Sequence, residues 1–321
     1  MAVQRILLGL LVSILLGPAG AYSQTTIAER SLPPSAAPSI EAFLGSWDLT
    51  VDTPQMEYAS WLGIGQENGK LTGQFVGRAG SSLPVSKIKI ENGVLTFVDA
   101  KGMAFEGRLI GDVLSGTTTG PDGTPWVWTG RRMPALKRTA DPQWGKPVTL
   151  FNGKDLTGWR FTDPSKRDIW GVQDGTLVVS GGGTELVSTC TFEDFKLHVE
   201  FNMQPKANSG VFLRGRYEVQ IESDAAQKPP SHHTGAVYSL LTPSPEMPRV
   251  TGEWQSFDIT LVGRVVTVVQ NGQTIIAGRE IPSITGGALD SHEGSPGPIY
   301  LQGSEKGGVA FRNIFITPAI E

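Results

Sequence analysis

The chain has 321 residues, of which 39% are hydrophobic, so it is long and apolar enough to bury a sizeable core. Its 27 Lys and Arg residues are fewer than its 31 Asp and Glu residues, which excludes a basic field that would attract nucleic acid. A single cysteine, Cys190, excludes an internal disulfide, and the 40 glycines and 22 prolines favour many turns between short strands.

The first 21 residues have the three parts of a secretory signal peptide. Arg5 supplies a short positive start, residues 6–16 form an apolar run, and Ala19-Gly20-Ala21 offers a cleavage site between small residues. The run ends at Gly17-Pro18, short of the about 20 residues that a transmembrane helix needs. We therefore expect a periplasmic or secreted protein that has no membrane attachment after cleavage of the signal.

A linker and a small β domain are predicted next. Residues 22–40 are rich in Ser, Thr, Ala and Pro, a composition typical of flexible linkers. Between residues 41 and 136, polar and apolar residues alternate in short runs that are separated by Asn-Gly and Asp-Gly turn pairs. The runs are residues 47–51, 70–77, 85–90, 94–100, 105–111 and 126–132. This period of two predicts an antiparallel sheet or barrel of about six to eight strands, preceded by a short helical segment at 40–44.

A second polar stretch, residues 134–148, predicts a boundary to a larger domain over residues 148–319. Strands are predicted there at residues 176–180, 195–201, 210–223, 256–262, 265–278, 299–303 and 309–316. The Asn271-Gly272 pair within the fifth of these segments is a strong hairpin signal. Because no helices alternate with the strands, a two-sheet sandwich fits better than an α/β fold, and the predicted fold class is all-β.

Residues 210–223 contain a closely spaced set of charged and amide side chains that could form a binding or catalytic site. If this segment is one strand, a polar row lies on one face, and that row is Arg214, Arg216, Glu218, Gln220 and Glu222. Burying such groups unpaired costs about 1–3 kcal/mol each, so the row is expected to face water or a polar ligand. An ordinary solvated sheet face is the alternative. Asn208 before the row, and His198 on a strand taken to be its neighbour, favour a sugar as the ligand.

Aromatic and histidine side chains could complete such a site. Candidate platforms for a sugar ring are Trp159, Trp170, Tyr238 and Trp254. His232 and His233 lie in a loop rich in Pro and Ser, where either could reach a site. The chain lacks the usual zinc and calcium motifs, so a divalent metal is possible but no ligand is assigned.

Ten short strings occur in one order along the second domain. They are LFNGKDLTGW (150–159), WGVQDGTLVV (170–179), FKLHVEF (195–201), NSGVFLR (208–214), YEVQIES (217–223), TGAVY (234–238), GEWQSFDIT (252–260), VVQNG (268–272), IYLQG (299–303) and VAFRNIFI (309–316). Together they make the chain resemble the 3-keto-disaccharide hydrolase family from about Val148 to Ile316. The resemblance implies a concanavalin-like jelly-roll sandwich that acts on an oligosaccharide or glycoside.

The chemistry implied by this resemblance is cleavage of 3-keto-glycosides through proton abstraction at C2, elimination from C1 and addition of water. Glu222 is then the first candidate for the base and Arg214 for stabilising the oxyanion, with His198 and His233 as alternative proton-transfer groups. Side chains expected to contact substrate are Asn208, Arg216, Glu218, Gln220, Glu305 and Lys306. Many members of the family have Asp-His-Gly after the LQ string, whereas this chain has Gly303 to Gly307, in which Glu305 and Lys306 are the candidate replacements.

Two functions of different classes remain open. One is an exported enzyme that cleaves 3-keto-glycosides, and the other is a lectin-like module that binds carbohydrate without turnover. A conventional glycosidase needs two carboxylates about 5–9.5 Å apart. Glu218 and Glu222 are four strand residues apart, about 13 Å, so this pair does not serve that mechanism.

Overall fold

The computed structural model describes residues 38–181, 184–304 and 306–320. The predicted signal peptide (1–21) and residues 22–37 of the predicted linker lie outside this part. Within it, the chain forms 23 strands and three short 3₁₀ helices, at Ile40–Ala42, Pro164–Ile169 and Pro230–His232. No helix in the described part is both long and apolar enough to cross a lipid bilayer.

The first nine strands form one sheet, and the other fourteen form two further sheets. The first nine are β1 (Gly45–Asp52), β2 (Glu57–Glu67), β3 (Lys70–Val76), β4 (Ser82–Pro84), β5 (Ser86–Glu91), β6 (Val94–Val98), β7 (Ala104–Ile110), β8 (Val113–Thr119) and β9 (Pro125–Arg132). The others are β10 (Gln143–Trp144), β11 (Val148–Thr149), β12 (Trp159–Phe161), β13 (Trp170–Gln173), β14 (Thr176–Val179), β15 (Leu186–Phe192), β16 (Phe195–Met203), β17 (Asn208–Leu213), β18 (Tyr217–Glu222), β19 (Gln255–Val262), β20 (Val265–Gln270), β21 (Gln273–Glu280), β22 (Gly297–Leu301) and β23 (Val309–Ile320).

The first nine strands form a nearly closed antiparallel barrel. Its strand order is β4-β3-β2-β1-β9-β8-β7-β6-β5. Strands β4 and β5 flank Val85, whose N–H donates to the carbonyl of Gly73 in β3, so the two ends of the sheet meet. Inward apolar residues fill the barrel, since every second residue of a strand points inward. Among them are Trp47, Leu114 and Trp128, which are buried.

Strands β10 to β23 form a jelly-roll sandwich of two antiparallel sheets. One sheet has the order β13-β14-β23-β16-β19-β20-β21, with β10 and β11 also paired to β23, and the other has the order β12-β15-β22-β17-β18. The core between them contains apolar residues from both sheets, such as Val199 and Phe257 on one side and Val219 and Ile299 on the other. This two-layer arrangement confirms the predicted all-β fold class.

The barrel and the sandwich pack against each other in one compact unit, so the predicted boundary at residues 134–148 stays a prediction. Trp61 of β2 is buried within the same apolar cluster as the sandwich core. Polar contacts include Thr50 Oγ1 with Ser291 Oγ at 2.8 Å and Ser81 Oγ with His232 Nε2 at 3.0 Å.

The predicted strand over residues 210–223 is wrong in one respect. The segment forms two strands, β17 and β18, joined by a tight turn at 214–216 in which Arg214 and Gly215 have φ of 51° and 69°. Gly215 tolerates this left-handed conformation at no steric cost, and a strand cannot continue through two such residues. The row of polar side chains is therefore divided between a strand and a turn.

Candidate functional site

One face of β17 and β18 is polar, as the sequence predicted for residues 218–222. Tyr217, Val219 and Ile221 point into the sandwich core, so Glu218, Gln220 and Glu222 point to the other face. All three polar side chains are at most 4% exposed. They are covered by the loops that follow β18 and β21, so the row does not face water, which was one of the two surroundings expected from the sequence.

A compact charged group lies where β18 ends, and we call Glu222, Lys228 and His233 the rim cluster. Lys228 Nζ forms an ion pair with Glu222 Oε2, and Glu222 Oε1 accepts a hydrogen bond of 2.8 Å from the backbone N–H of Asp224. The side chain of Lys228 is 40% exposed, whereas that of Glu222 is 2% exposed. The buried carboxylate thus has a cationic partner that reaches out to solvent.

His233 holds this cluster in place. Its Nε2 lies 3.0 Å from the carbonyl oxygen of Lys228, and its Nδ1 lies 2.7 Å from Glu246 Oε1, which also accepts from Arg249 at 2.7 Å. Since a carbonyl oxygen only accepts, Nε2 carries a proton and donates it there. The neighbouring residue, Thr234, exchanges two hydrogen bonds with the backbone of Glu222. The loop is therefore fixed against the strand on both sides of Lys228.

Three amide side chains, Asn208, Gln220 and Gln302, form what we call the amide row beside the rim cluster. Asn208 lies directly opposite Glu222 in the β17–β18 ladder, and Gln220 Nε2 lies 3.4 Å from Asn208 Oδ1. Gln302 follows β22, and its N–H donates to the carbonyl of Gly210. Its Oε1 is buried and has no hydrogen-bond partner among the described residues. An unpaired buried acceptor is costly, so this atom is well suited to accept from a ligand hydroxyl.

Aromatic rings border the polar face. Phe212 and Tyr300 stack with centroids 4.1 Å apart, and both are buried. Burial, with the charges of Glu185 and Glu218, raises the pKa of the Tyr300 hydroxyl well above its usual value. Of the four predicted platform residues, Trp159 and Trp170 are in the core, and Trp254 lies under the guanidinium of Arg312 at 3.9 Å. Tyr238 stacks on His232 at 4.5 Å, and its backbone N–H donates to the carbonyl oxygen of Glu218.

Arg214 and Arg216 do not join the rim cluster. They lie in the turn at the opposite end of β18, about 16 Å along the strand from Glu222. Arg214 donates to the hydroxyl of Tyr217 and to the carbonyl of Gly263, and Arg216 pairs with Asp290 at 2.7 Å. The prediction that Arg214 stabilises an oxyanion beside Glu222 relied on a polar row shared by both residues, and the turn at 214–216 breaks that row, so the Arg214 guanidinium binds Tyr217 and Gly263 instead.

His198 is also far from the predicted polar row. Its strand, β16, belongs to the other sheet and pairs with β19 and β23, so it is not a neighbour of β17 or β18. The side chain is 34% exposed, and its Nδ1 lies 2.7 Å from Asp258 Oδ1 on the adjacent strand. The assumed contact between the two strands was wrong, because the chain crosses from one sheet to the other between β16 and β17.

Glu305 lies outside the described residues. Lys306 is exposed, and the following residue, Gly307, packs closely on the backbone of Pro205 and Ala207, just before Asn208. This brings Lys306 toward the amide-row end of the face. No group of three or more potential metal ligands occurs in the described part of the chain.

A sequence profile of 3-keto-alpha-glucoside-1,2-lyase-like domains matches residues 146–317. The chain belongs to this family. The match contains the rim cluster, the amide row and all of the sandwich except β10 and the last residues of β23. Residues of the barrel precede the matched segment, so nothing in the family assignment applies to them.

Similar proteins have carbohydrate-related names. A 3-keto-disaccharide hydrolase of Bacteroides thetaiotaomicron is 21% identical over 168 residues, which are 40% of this chain and 57% of that protein. The chain thus spans less than two thirds of this curated relative. A candidate glycosyl hydrolase of Parabacteroides distasonis, known from its crystal structure, is 21% identical, with 55% of this chain and 94% of that chain covered and a TM-score of 0.47. A second one from the same organism is 26% identical, with 62% and 98% covered and a TM-score of 0.45.

Proposed function

We propose that the protein is an exported enzyme that binds a 3-keto-glycoside at the polar face and cleaves it with the rim cluster. The reaction is removal of the proton at C2, elimination of the group at C1 and addition of water. Family membership supports the substrate class, and the curated relative has a name that describes the same activity.

The pairing of Glu222 with Lys228 is the observation that carries this proposal. In a 3-keto sugar, the acidic hydrogen is on C2 and the carbonyl oxygen is on C3, the adjacent carbon. A base and a cation must therefore lie side by side to serve both atoms. Glu222 takes the C2 proton, and the negative charge moves from its carboxylate to the C3 oxygen. Lys228 Nζ can then move from the carboxylate to the C3 oxygen and stabilise its negative charge, since the Lys228 side chain is partly exposed.

The later steps balance without further reactants. The enolate re-forms the C3 carbonyl as the C1–O bond breaks, which leaves a C1–C2 double bond, and the departing oxygen takes, through a water molecule, the proton that Glu222 had removed, which restores the carboxylate. A second water then adds its hydroxyl to C1 and a proton to C2. Base catalysis contributes about 10²–10⁴-fold and charge stabilisation about 10²–10³-fold. Asn208, Gln220 and Gln302 are placed to bind sugar hydroxyls, and His233 positions Lys228.

The test is to incubate the full chain with a 3-keto-glucoside and with the corresponding unoxidised glucoside, with and without EDTA. We expect product from the keto sugar alone. Glu222→Gln should lower kcat about 10²–10⁴-fold and Lys228→Met about 10²–10³-fold. His198→Gln is the matched control, because it removes another carboxylate-paired side chain on the remote sheet. Sugar binding without product would instead support a lectin-like role, and equal losses in all three variants would refute the assignment of the rim cluster.

A further inference from the structure

The barrel has a cavity of about 510 Å³ at one end. The turns β1–β2, β3–β4, β6–β7 and β8–β9 surround its opening. Its main apolar lining is Met56, Tyr58, Phe75, Leu83, Phe105 and Trp126. Pockets that hold small molecules have volumes of about 300–1,000 Å³ and mostly apolar walls, so this cavity has the size and the surface of a binding site.

The rest of the barrel is filled, which confines the cavity to this end. Trp47 and Trp128 are buried inside, and a Cβ at Gly107 or Gly116 would clash with the indole of Trp128. Strand β1 begins at the opposite end of the barrel, where Phe43, just before the strand, is fully buried. An eight-stranded barrel interior is about wide enough either to be filled by side chains or to hold one small ligand. Here side chains fill one end of the barrel, and the other end has room for a ligand.

Apolar side chains around the opening face solvent. Met56 is 42% and Leu83 is 44% exposed, and Tyr58 and Trp126 are half-buried and meet edge to face at 6.4 Å. Below them, the rings of Phe75 and Phe105 lie 5.1 Å apart. Leaving this surface in water is unfavourable, at about 25 cal/mol for each Å². A flat apolar molecule would cover it.

The polar groups of the opening are mainly cationic. Arg78 and Lys101 are exposed at its edge. Asp99 also lines the cavity, but its Oδ1 accepts hydrogen bonds from the N–H groups of Lys101 and Met103, so it stabilises the turn. Burial and the charge of Asp99 raise the pKa of Tyr58 to about 12, so its hydroxyl stays protonated. The edge can therefore bind an anionic group.

We propose that the barrel is a second binding site, which takes a ring-bearing apolar molecule with an anionic group at its edge. The rings enter between Tyr58 and Trp126, and the anionic group lies near Arg78 and Lys101. This site is separate from the polar face of the sandwich and does not depend on the activity proposed for it.

Binding can be measured on the full chain with 1-anilinonaphthalene-8-sulfonate, which carries aromatic rings and a sulfonate. We expect saturable binding of one molecule per chain, with quenching of tryptophan fluorescence. Leu83→Glu should weaken it at least tenfold, because a carboxylate would stand at the apolar opening. Ile110→Glu is the matched control, since Ile110 is 69% exposed at the other end of β7 and should leave binding unchanged.

A second, uncharged probe distinguishes the contribution of the aromatic rings to binding from that of the anionic group. Arg78→Gln should weaken binding of the sulfonate probe severalfold but leave binding of the uncharged N-phenyl-1-naphthylamine unchanged. Thermal unfolding of each variant establishes that the barrel is intact. Binding that does not saturate, or that Leu83→Glu and Ile110→Glu alter equally, would overturn the proposal.

Discussion

Asp48→Asn is expected to change how stability depends on pH. Asp48 is 7% exposed and lies between the barrel and the sandwich, facing Glu293, Arg264 and Arg216. Burial, followed by the charge of Glu293, raises its pKa from 3.8 to about 8. Burial also raises the pKa of Glu293, so the two carboxyl groups hold a proton between them.

The direction in which stability changes with pH follows from where Asp48 binds its proton more tightly. Asp48 binds its proton more tightly in the folded chain than in the unfolded chain, so its contribution to stability is complete below about pH 4 and is lost as the pH rises toward 8. One pKa unit corresponds to about 1.4 kcal/mol, which gives an upper limit of about 3 kcal/mol between pH 5 and 7.5. Because the proton is shared with Glu293, we expect a loss of about 1–3 kcal/mol. Asparagine keeps the shape and does not ionise, which removes this loss.

The measurement is the free energy of unfolding by urea at pH 5 and pH 7.5 for the wild type, Asp48→Asn and Asp52→Asn. Asp52 is the control, because it lies on the same strand and is exposed. The wild type and Asp52→Asn should lose stability between the two pH values, and Asp48→Asn should lose about 1–3 kcal/mol less. An equal loss in all three proteins would show that Asp48 is ionised throughout and would refute the shared proton.

Three further predictions concern the site, the barrel and export. Gln302→Ala should raise KM for a 3-keto-glucoside about tenfold with little change in kcat, because one hydroxyl loses its acceptor; steady-state kinetics measures this. Arg132→Leu should lower the free energy of unfolding by about 1–3 kcal/mol in urea titrations, since Arg132 stacks on Trp47 at 3.9 Å and donates to the carbonyls of Ala42 and Leu44. Amino-terminal sequencing of protein recovered outside the cytoplasm should begin near Tyr22, and a chain that retains Met1 there would contradict cleavage.

Much of the fold could be predicted from strand periodicity. All six strands named for the barrel occur, because polar and apolar residues alternate within each of them. Strands β2, β4 and β8 were missed, and β4 is only three residues long. β2 contains three small residues, Ala59, Gly63 and Gly65, and β8 is mostly Ser, Gly and Thr, so neither shows a clear apolar alternation. Their inclusion in the sheet depends on pairing with neighbours, which a local pattern does not contain.

The site was predictable only in part. Glu218, Gln220 and Glu222 share a face because alternation within β18 is a local property. The turn at Gly215 was visible as a glycine inside a strand pattern, a recognised sign of a break. Which strands are neighbours was not visible, and this misplaced His198. Lys228 and Gln302 were also missed. A loop with no periodic pattern brings Lys228 to Glu222, and Gln302 is polar in a segment of otherwise buried residues.

Exchange of the C2 hydrogen tests the central claim most directly. A 3-keto-glucoside is incubated with the protein in D₂O, and NMR follows the C2 signal and product together. We predict that the wild type makes product with deuterium at C2, at a rate that Glu222→Gln lowers at least a hundredfold and His198→Gln leaves unchanged. Product that retains hydrogen at C2, or full activity in Glu222→Gln, would contradict proton abstraction by this carboxylate.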